Sequence, residues 1–597
     1  MSHLSSGTSR STLEALIDDF SQKDYQGFQL EVWVFADHQT RLAAEKKLRQ
    51  LGVEARIFSA YKPLVHFFLE SFSFEQYPSQ SIEIGYPVSP HASQKRFLLE
   101  AYPLGAMLKD KPIRFFPDET CSDCYSVTFC NEPGENKAVT VFAPNHVSSS
   151  ITGEESLSPT GWIKLYNPEG ECLRDERLAT DYEKVFQALM NVVQSYPWPE
   201  KPPYFERLCV RVAIPVKDEP VGYEHEVLSL KEALHEDLYF SIQEWFKFRE
   251  GKCKTERNSQ PGQIIPFICH SSHQGYDYDL DIEPYPLFTP ESELQPLDKA
   301  FQPLSHRQVG IALDAIPGRL IEAETVTGNK VRAIYRQGNE SAVMISGGQH
   351  ANETTGVVGA LRAALHLSAR PQAHFVISPL ENPDGYALHH ELIRDNAKHM
   401  HHASRYTALG DDLEFRSKAP WYEKEIRRQA FQLSGAQLHI NLHGYPSHEW
   451  TRPLSGYVPQ GFEMWTIPKG FFLVLRYQNT SDWAEFAERF IQALTQKLNR
   501  YPEVITMNKK QIRLYEMHAG ETGFRLINQF PCVISAVEQC DVPLQLITEY
   551  PDESIFDHDF IAGHNIQMAT VLAAYDVFQS LKQLSLVEGA AEQRSIT

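Results

Sequence analysis

Long apolar runs are missing from this 597-residue chain. No stretch approaches the ~20 consecutive apolar residues that a membrane-crossing helix needs, so no span is expected. The N-terminus, MSHLSSGTSRSTLEALIDDF, lacks a basic segment followed by an apolar one, which argues against a secretory signal. Positive charge is also scarce. Only 56 Lys and Arg stand against 77 Asp and Glu, giving a formal net charge of −21. With no basic stripe for phosphates, nucleic acid is not an expected partner. Cysteines are few and scattered, nine in all, an odd number without framework spacing. They read as reduced thiols, and the expected location is cytoplasmic. Cys121 and Cys124 form a single CxxC, and without a second pair a structural zinc is not expected there.

What is present is an ordinary globular composition, 42% hydrophobic and 22% charged, with enough length for two to four domains. Residues 1–24 read as a flexible, Ser-rich arm. Residues 25–298 read as an α+β accessory region of one or two subdomains. In it LEVWVF is strand-like, Asp37 caps a helix that Gly52 ends, and SLKE at Ser229 is a capping box. His66, His225, His235 and His270 occur singly and read as packed residues. PYPLFTPESELQPLDK is a linker. Residues 299–586 alternate strands with helices, the pattern of an α/β sheet covered by helices, and 587–597 read as a disordered tail.

The stretch SGGQHANETTG, Ser346 to Gly356, carries the first chemistry. It lies between a buried strand, Ala342 to Ile345, and a helix marked by Val357, Leu361, Ala364 and Leu365. His350 and Glu353 therefore share a face, and imidazole plus carboxylate is a common start for a zinc site. His443 ends the strand-like run Leu438 to Leu442, where active sites collect, and is preferred to His439 and His448 as a third ligand. A general base should be a carboxylate, and Glu538 follows the apolar run Cys532 to Val537.

In this order the pieces resemble the zinc carboxypeptidase family, the M14 metallopeptidases. Its HxxE pair matches His350 and Glu353, its Asn-Pro-Asp-Gly-aromatic signature matches Asn382 to Tyr386, and its later histidine matches His443. Its strand-closing catalytic Glu matches Glu538, and Tyr515, 23 residues earlier, takes the place of a mobile tyrosine. Asp412 takes that of the aspartate orienting the first histidine. The resemblance implies a mixed eight-stranded-type sheet flanked by helices. It also implies one Zn²⁺ per chain held by His350, Glu353 and His443, with Glu538 as base and Tyr515 closing over substrate. Two departures bear on substrate. Glu414-Phe415 stands where the family has an Asn-Arg carboxylate clamp, so Arg394 and Arg416 are the expected substitutes, with Arg405 and Arg452 behind them. The Glu353–His443 spacing is short, closer to the acylase-like branch. The expected activity is a metallocarboxypeptidase acting on a peptide or small amide. The alternative is a deacylase releasing an amino acid, and a third reading is a zinc-bound scaffold without catalysis. Oligomeric state is not readable.

Overall fold

The computed structural model describes all residues except 1, 23–24, 109–110, 132–135, 151–152, 274, 287–292, 459–460, 540 and 596–597. Part of the expected linker lies outside the described residues. Up to Glu283 the described residues build three four-stranded sheets. One begins as a β-α-β unit: Gln29–Val34 pairs in parallel with Glu54–Ser59 across the helix His38–Gln50. Asp37 caps that helix by accepting from the Thr40 N–H, and Gly52 leaves it at φ 84°.

The segment expected as a flexible arm carries regular structure. Ser2–Ser9 is a strand paired antiparallel with Tyr276–Glu283, and Thr8 Oγ1 donates to Asp277 at 2.8 Å. A ladder of backbone hydrogen bonds needs no apolar side chains, which is why Ser-rich composition concealed it. Cys121 and Cys124 are disulfide-bonded, against the expectation of reduced thiols throughout. Among the described residues no helix is long and apolar enough to cross a membrane.

The second half holds a nine-stranded mixed sheet, the expected architecture with one strand more. Its strands are β1 (Arg319–Glu324), β2 (Lys330–Arg336), β3 (Val343–Gly347), β4 (Phe375–Ser378), β5 (Leu438–Pro446), β6 (Phe472–Gln478), β7 (Arg525–Ile527), β8 (Phe530–Val537) and β9 (Leu544–Glu553). Their spatial order is β1-β2-β4-β3-β5-β9-β6-β8-β7. β3 and β5 are buried along their whole length, as central strands covered on both faces must be. On one face α1 (Thr355–Ser368) and α6 (Asp557–Ser595) pack Leu361 and Phe578 with Ile345, Ile440 and Leu546. On the other, α3 (Glu425–Ser434), which follows α2 (Pro383–Leu392), packs Ile426 and Ala430 with Met344 and Val376. α6 runs to Ser595, so the segment expected as a tail continues a helix.

Strand direction decides what can meet. β3, β5 and β9 are mutually parallel, so their carboxyl ends share one edge of the sheet. β6 runs antiparallel to β9, and β8 runs parallel to β6. The carboxyl end of β8 therefore emerges at the opposite edge.

Candidate active site

His350 and Glu353 lie in the turn between β3 and α1, where the Glu353 N–H donates to the His350 carbonyl at 3.2 Å. The turn needs Gly348, at φ 60°, where a Cβ would meet Leu380 Cδ1 at 2.7 Å. His443 sits near the end of β5. Gly444 follows it because β9 approaches too closely for a side chain: a Cβ there would lie 2.9 Å from the Tyr550 carbonyl.

The three side chains are buried and converge. His350 Nδ1 is 2.8 Å from Glu353 Oε1, His443 Nδ1 is 2.9 Å from Glu353 Oε2, and the two Nδ1 atoms are 3.1 Å apart. One ligand atom from each lies within 4.8 Å of the others. Imidazole nitrogens that close leave at least one lone pair directed at the other, which a shared cation relieves. Two nitrogens and a carboxylate are a donor set that suits zinc. His350 Nε2 donates to Asp412 Oδ1 at 3.3 Å, which orients the ring. The Gly444 N–H donates to Glu353 Oε2 at 3.0 Å, steadying the carboxylate.

Arg405 reaches the same point. Its Nη1 donates to Glu353 Oε1 at 2.5 Å and stands 3.9 Å from Glu553. The motif Asn382 to Tyr386 places it. Asn382 accepts from the Gly385 N–H and caps α2, and its amide donates to the Arg405 and Tyr406 carbonyls at 3.3 and 3.1 Å. Gly385 is required because a Cβ would lie 2.5 Å from the Ser404 carbonyl.

Glu549, on β9, pairs in register with His443 on β5 and so faces the same side of the sheet. Burial pushes its carboxyl well above the usual range, the Glu353 charge adds to this, and Arg405 and Lys469 oppose it. Burial also lowers the Lys469 ammonium to about 7, with Glu549 opposing. Both oxygens of Glu553 are buried without a hydrogen-bond partner among the described residues, and burial raises that carboxyl to about 7.

Several expected residues are elsewhere. Glu538 follows β8, at the opposite edge of the sheet from His443; it is exposed and accepts from Asn479 Nδ2 at 2.6 Å. It is not placed to act at this cluster, because β8 runs against β5 and β9. Tyr515 lies inside the helix α5 (Pro502–Ala519, after α4, Ser481–Leu498), 4% exposed, with the Lys469 ammonium 5.5 Å from its ring. A side chain packed within a helix is not a mobile cap. Arg416 is buried and ion-paired with Asp411 and Glu423 at 2.6 and 3.0 Å. Arg394 is exposed and borders a separate cavity with Arg207, Asp384 and Glu391. Glu414 pairs with Arg427 at 2.7 Å, and although burial opposes it, that pairing holds its carboxyl at about 2.

Sequence reasoning did not single out Glu549 and placed Arg405 behind Arg394 and Arg416. Leu544, Leu546 and Ile547 mark a second late apolar run that leads to an acid, Glu549. Nothing local says which of the two late strands lies beside β5.

Two imidazoles and a carboxylate gathered at the carboxyl ends of parallel strands form a donor set that could hold a metal ion. Residues 315–447 match the zinc carboxypeptidase family, Peptidase_M14. The matched stretch contains His350, Glu353 and His443 and ends before β9. No curated protein sequence matches the chain. Among solved structures, it is similar to a metallo-carboxypeptidase from Burkholderia cenocepacia, at 15% identity over 52% of this chain and 73% of that one, TM-score 0.30. It is also similar to carboxypeptidase A from Helicoverpa armigera, at 11% identity over 51% and 83%, TM-score 0.29. A third similarity is to bovine thrombin-activatable fibrinolysis inhibitor in complex with tick carboxypeptidase inhibitor, at 11% over 48% and 100%, TM-score 0.28.

Proposed function

We propose that the chain is a metallocarboxypeptidase that hydrolyses a C-terminal peptide bond, with His350, Glu353 and His443 holding one Zn²⁺ and Glu549 as the base. The observation that carries this is the convergence of the three donors with Glu549 in register opposite His443. Zinc, when bound, supplies a Lewis-acid charge that polarises a carbonyl and acidifies water. The chain's own residues do the rest. The Glu549 carboxylate takes a proton from the attacking water and returns it to the leaving amine. Arg405 presents positive charge where the carbonyl oxygen becomes negative. Asp412 keeps the His350 ring turned toward the metal.

A deacylase reading is favoured by one observation. Where the family holds a terminal carboxylate with Asn-Arg, this chain has Glu414, already engaged by Arg427. The test is zinc content and hydrolysis of free-acid peptides, amidated peptides and N-acyl amino acids by wild type, Glu549→Gln and Glu538→Gln. The expected result is full zinc in all three, with a loss of about 10²–10⁴ in kcat for Glu549→Gln alone. Retained turnover in Glu549→Gln removes it as base, and cleavage confined to acyl amino acids selects the deacylase.

A further inference from the structure

A cavity of about 530 Å³ opens between the start of α3, the 414–421 loop and strands β6 and β9. It shares a sheet face with the metal cluster. In the β5–β9 pairing His443 lies beside Glu549, Asn441 beside Ile547, and His439 beside Gln545. The cavity's His439 and Gln545 are therefore two same-face rows below the cluster, about 13 Å along the strands. Glu414 joins the two places. It lines the cavity, and its N–H donates at 3.0 Å to Asp412, the carboxylate that accepts from His350.

Five cations border this space, and four are engaged. Arg416 is held by Asp411 and Glu423, and Arg427 by Glu381 at 2.6 Å and Glu414 at 2.7 Å. Arg428 is held by Glu425 at 2.8 Å, and Lys424 donates to the Glu414 and Arg416 carbonyls at 2.8 and 2.9 Å. The fifth is Arg476. It is half-buried on β6 beside Gln545, and it has no hydrogen bond or ion pair among the described residues. The acids on the wall are Glu414, already bonded to Arg427, and Asp541. A half-buried guanidinium with five donors and no bonded acceptor among the described residues, facing a cavity whose other cations are already engaged, is a site for a carboxylate.

We infer that this cavity receives the acidic side chain of the residue released by hydrolysis, with Arg476 pairing to its carboxylate. The inference rests on the peptide-hydrolase reading and names its substrate class. The main-chain carboxylate of a leaving residue stays beside the scissile nitrogen and does not span two rows of the sheet. A long acidic side chain directed down the sheet face, met by the long Arg476 side chain, does.

The test uses the zinc-loaded, full-length protein and peptides identical except for a last residue of Glu, Gln or Leu, together with the amidated Glu peptide. The expected result is a kcat/KM for Glu at least about tenfold above Gln, the scale of one charge-assisted pair. Arg476→Gln should bring that ratio toward one, and Arg476→Lys should keep most of it; thermal melting confirms that each variant is folded. Equal rates on Glu and Gln in wild type overturn the inference. So does a ratio unchanged in Arg476→Gln. Loss of activity on the amidated Glu peptide with Glu and Gln equal also overturns it, since recognition then lies in the main-chain carboxylate. If no peptide is cleaved, the hydrolase reading fails separately. Equilibrium binding of N-acetylglutamate against N-acetylglutamine then decides the cavity, and equal affinity in wild type and Arg476→Gln overturns its assignment.

Discussion

The first half of the chain and the second half both bury acids and histidines, and they use them differently. Where the halves meet, each buried acid of the helix Leu230–Arg249 has its own partner across the boundary. Glu232 accepts from His448 at 2.9 Å, Glu236 from Trp450 Nε1 at 3.0 Å, and Asp237 from the Leu454 N–H at 3.0 Å. Glu244 accepts from Arg452 at 2.6 Å, and Lys62 bonds Glu449. At the metal cluster the same residue types crowd one point, and Glu553 keeps two buried oxygens without a hydrogen bond among the described residues. The difference teaches that polar burial as such is not the functional signal. Pairwise satisfaction marks a structural seam, while shared and leftover valence marks a site.

The comparison implies that the seam is structural, and removing one side should break it first. One apolar core crosses it, joining Leu234, Phe240 and Phe246 to Trp450, Tyr457, Phe462 and Ile467. A chain of residues 300–597 alone should therefore fail to fold, read as insolubility or loss of cooperative unfolding. A soluble, cooperatively melting fragment would show that the halves are independent.

Next in size is His448→Ala, which leaves Glu232 buried without its partner. About 3–5 kcal/mol should be lost in denaturant unfolding, the usual cost of breaking a buried pair. A loss under about 1 kcal/mol would mean that water reaches the seam.

The same pair gives a pH signature. Burial opposes the His448 imidazolium, but Glu232, with Glu226 and Glu553, raises its pKa to about 9. Because the folded value exceeds the unfolded one, this stabilisation is complete below about pH 6.5 and is lost as pH rises through about 9. The shift corresponds to about 3 kcal/mol. Stability should fall across that window in wild type and change little in His448→Gln; parallel curves would count against the assignment.

The smallest effect tests the other side of the comparison. Asp412→Asn keeps shape but weakens the acceptor for His350. Zinc affinity should drop about 10–100-fold with little change in melting temperature, measured by competition with a chromogenic chelator. An unchanged affinity would show that Asp412 does not orient the ligand.

Much of the site was legible along the chain because it is locally encoded. His350 and Glu353 belong to a single turn bracketed by Gly348 and α1, and His443 lies near the end of an apolar strand, before Gly444. The NPDGY motif was legible as a signature, but its work was not. Its Asn382 fastens the Arg405 segment 23 residues away. The choice of Glu538 over Glu549 failed for a related reason. Both follow late apolar runs, and only the direction of β8 against β9 separates them. The N-terminal strand was hidden because its partner, Tyr276–Glu283, lies more than 260 residues away.

By itself, then, the sequence determined the elements and donors that lie within one turn or one strand: an α/β second half, the His350–Glu353 pair, His443, and the absence of a long apolar helix. Short-range periodicity and turn chemistry carry that information. The tertiary structure alone decided which acid faces His443, which arginine reaches Glu353, which cation of the cavity has no bond among the described residues, and that the two halves share a core. Those outcomes depend on strand order, direction and register, which arise from packing between distant segments and leave no local pattern to read.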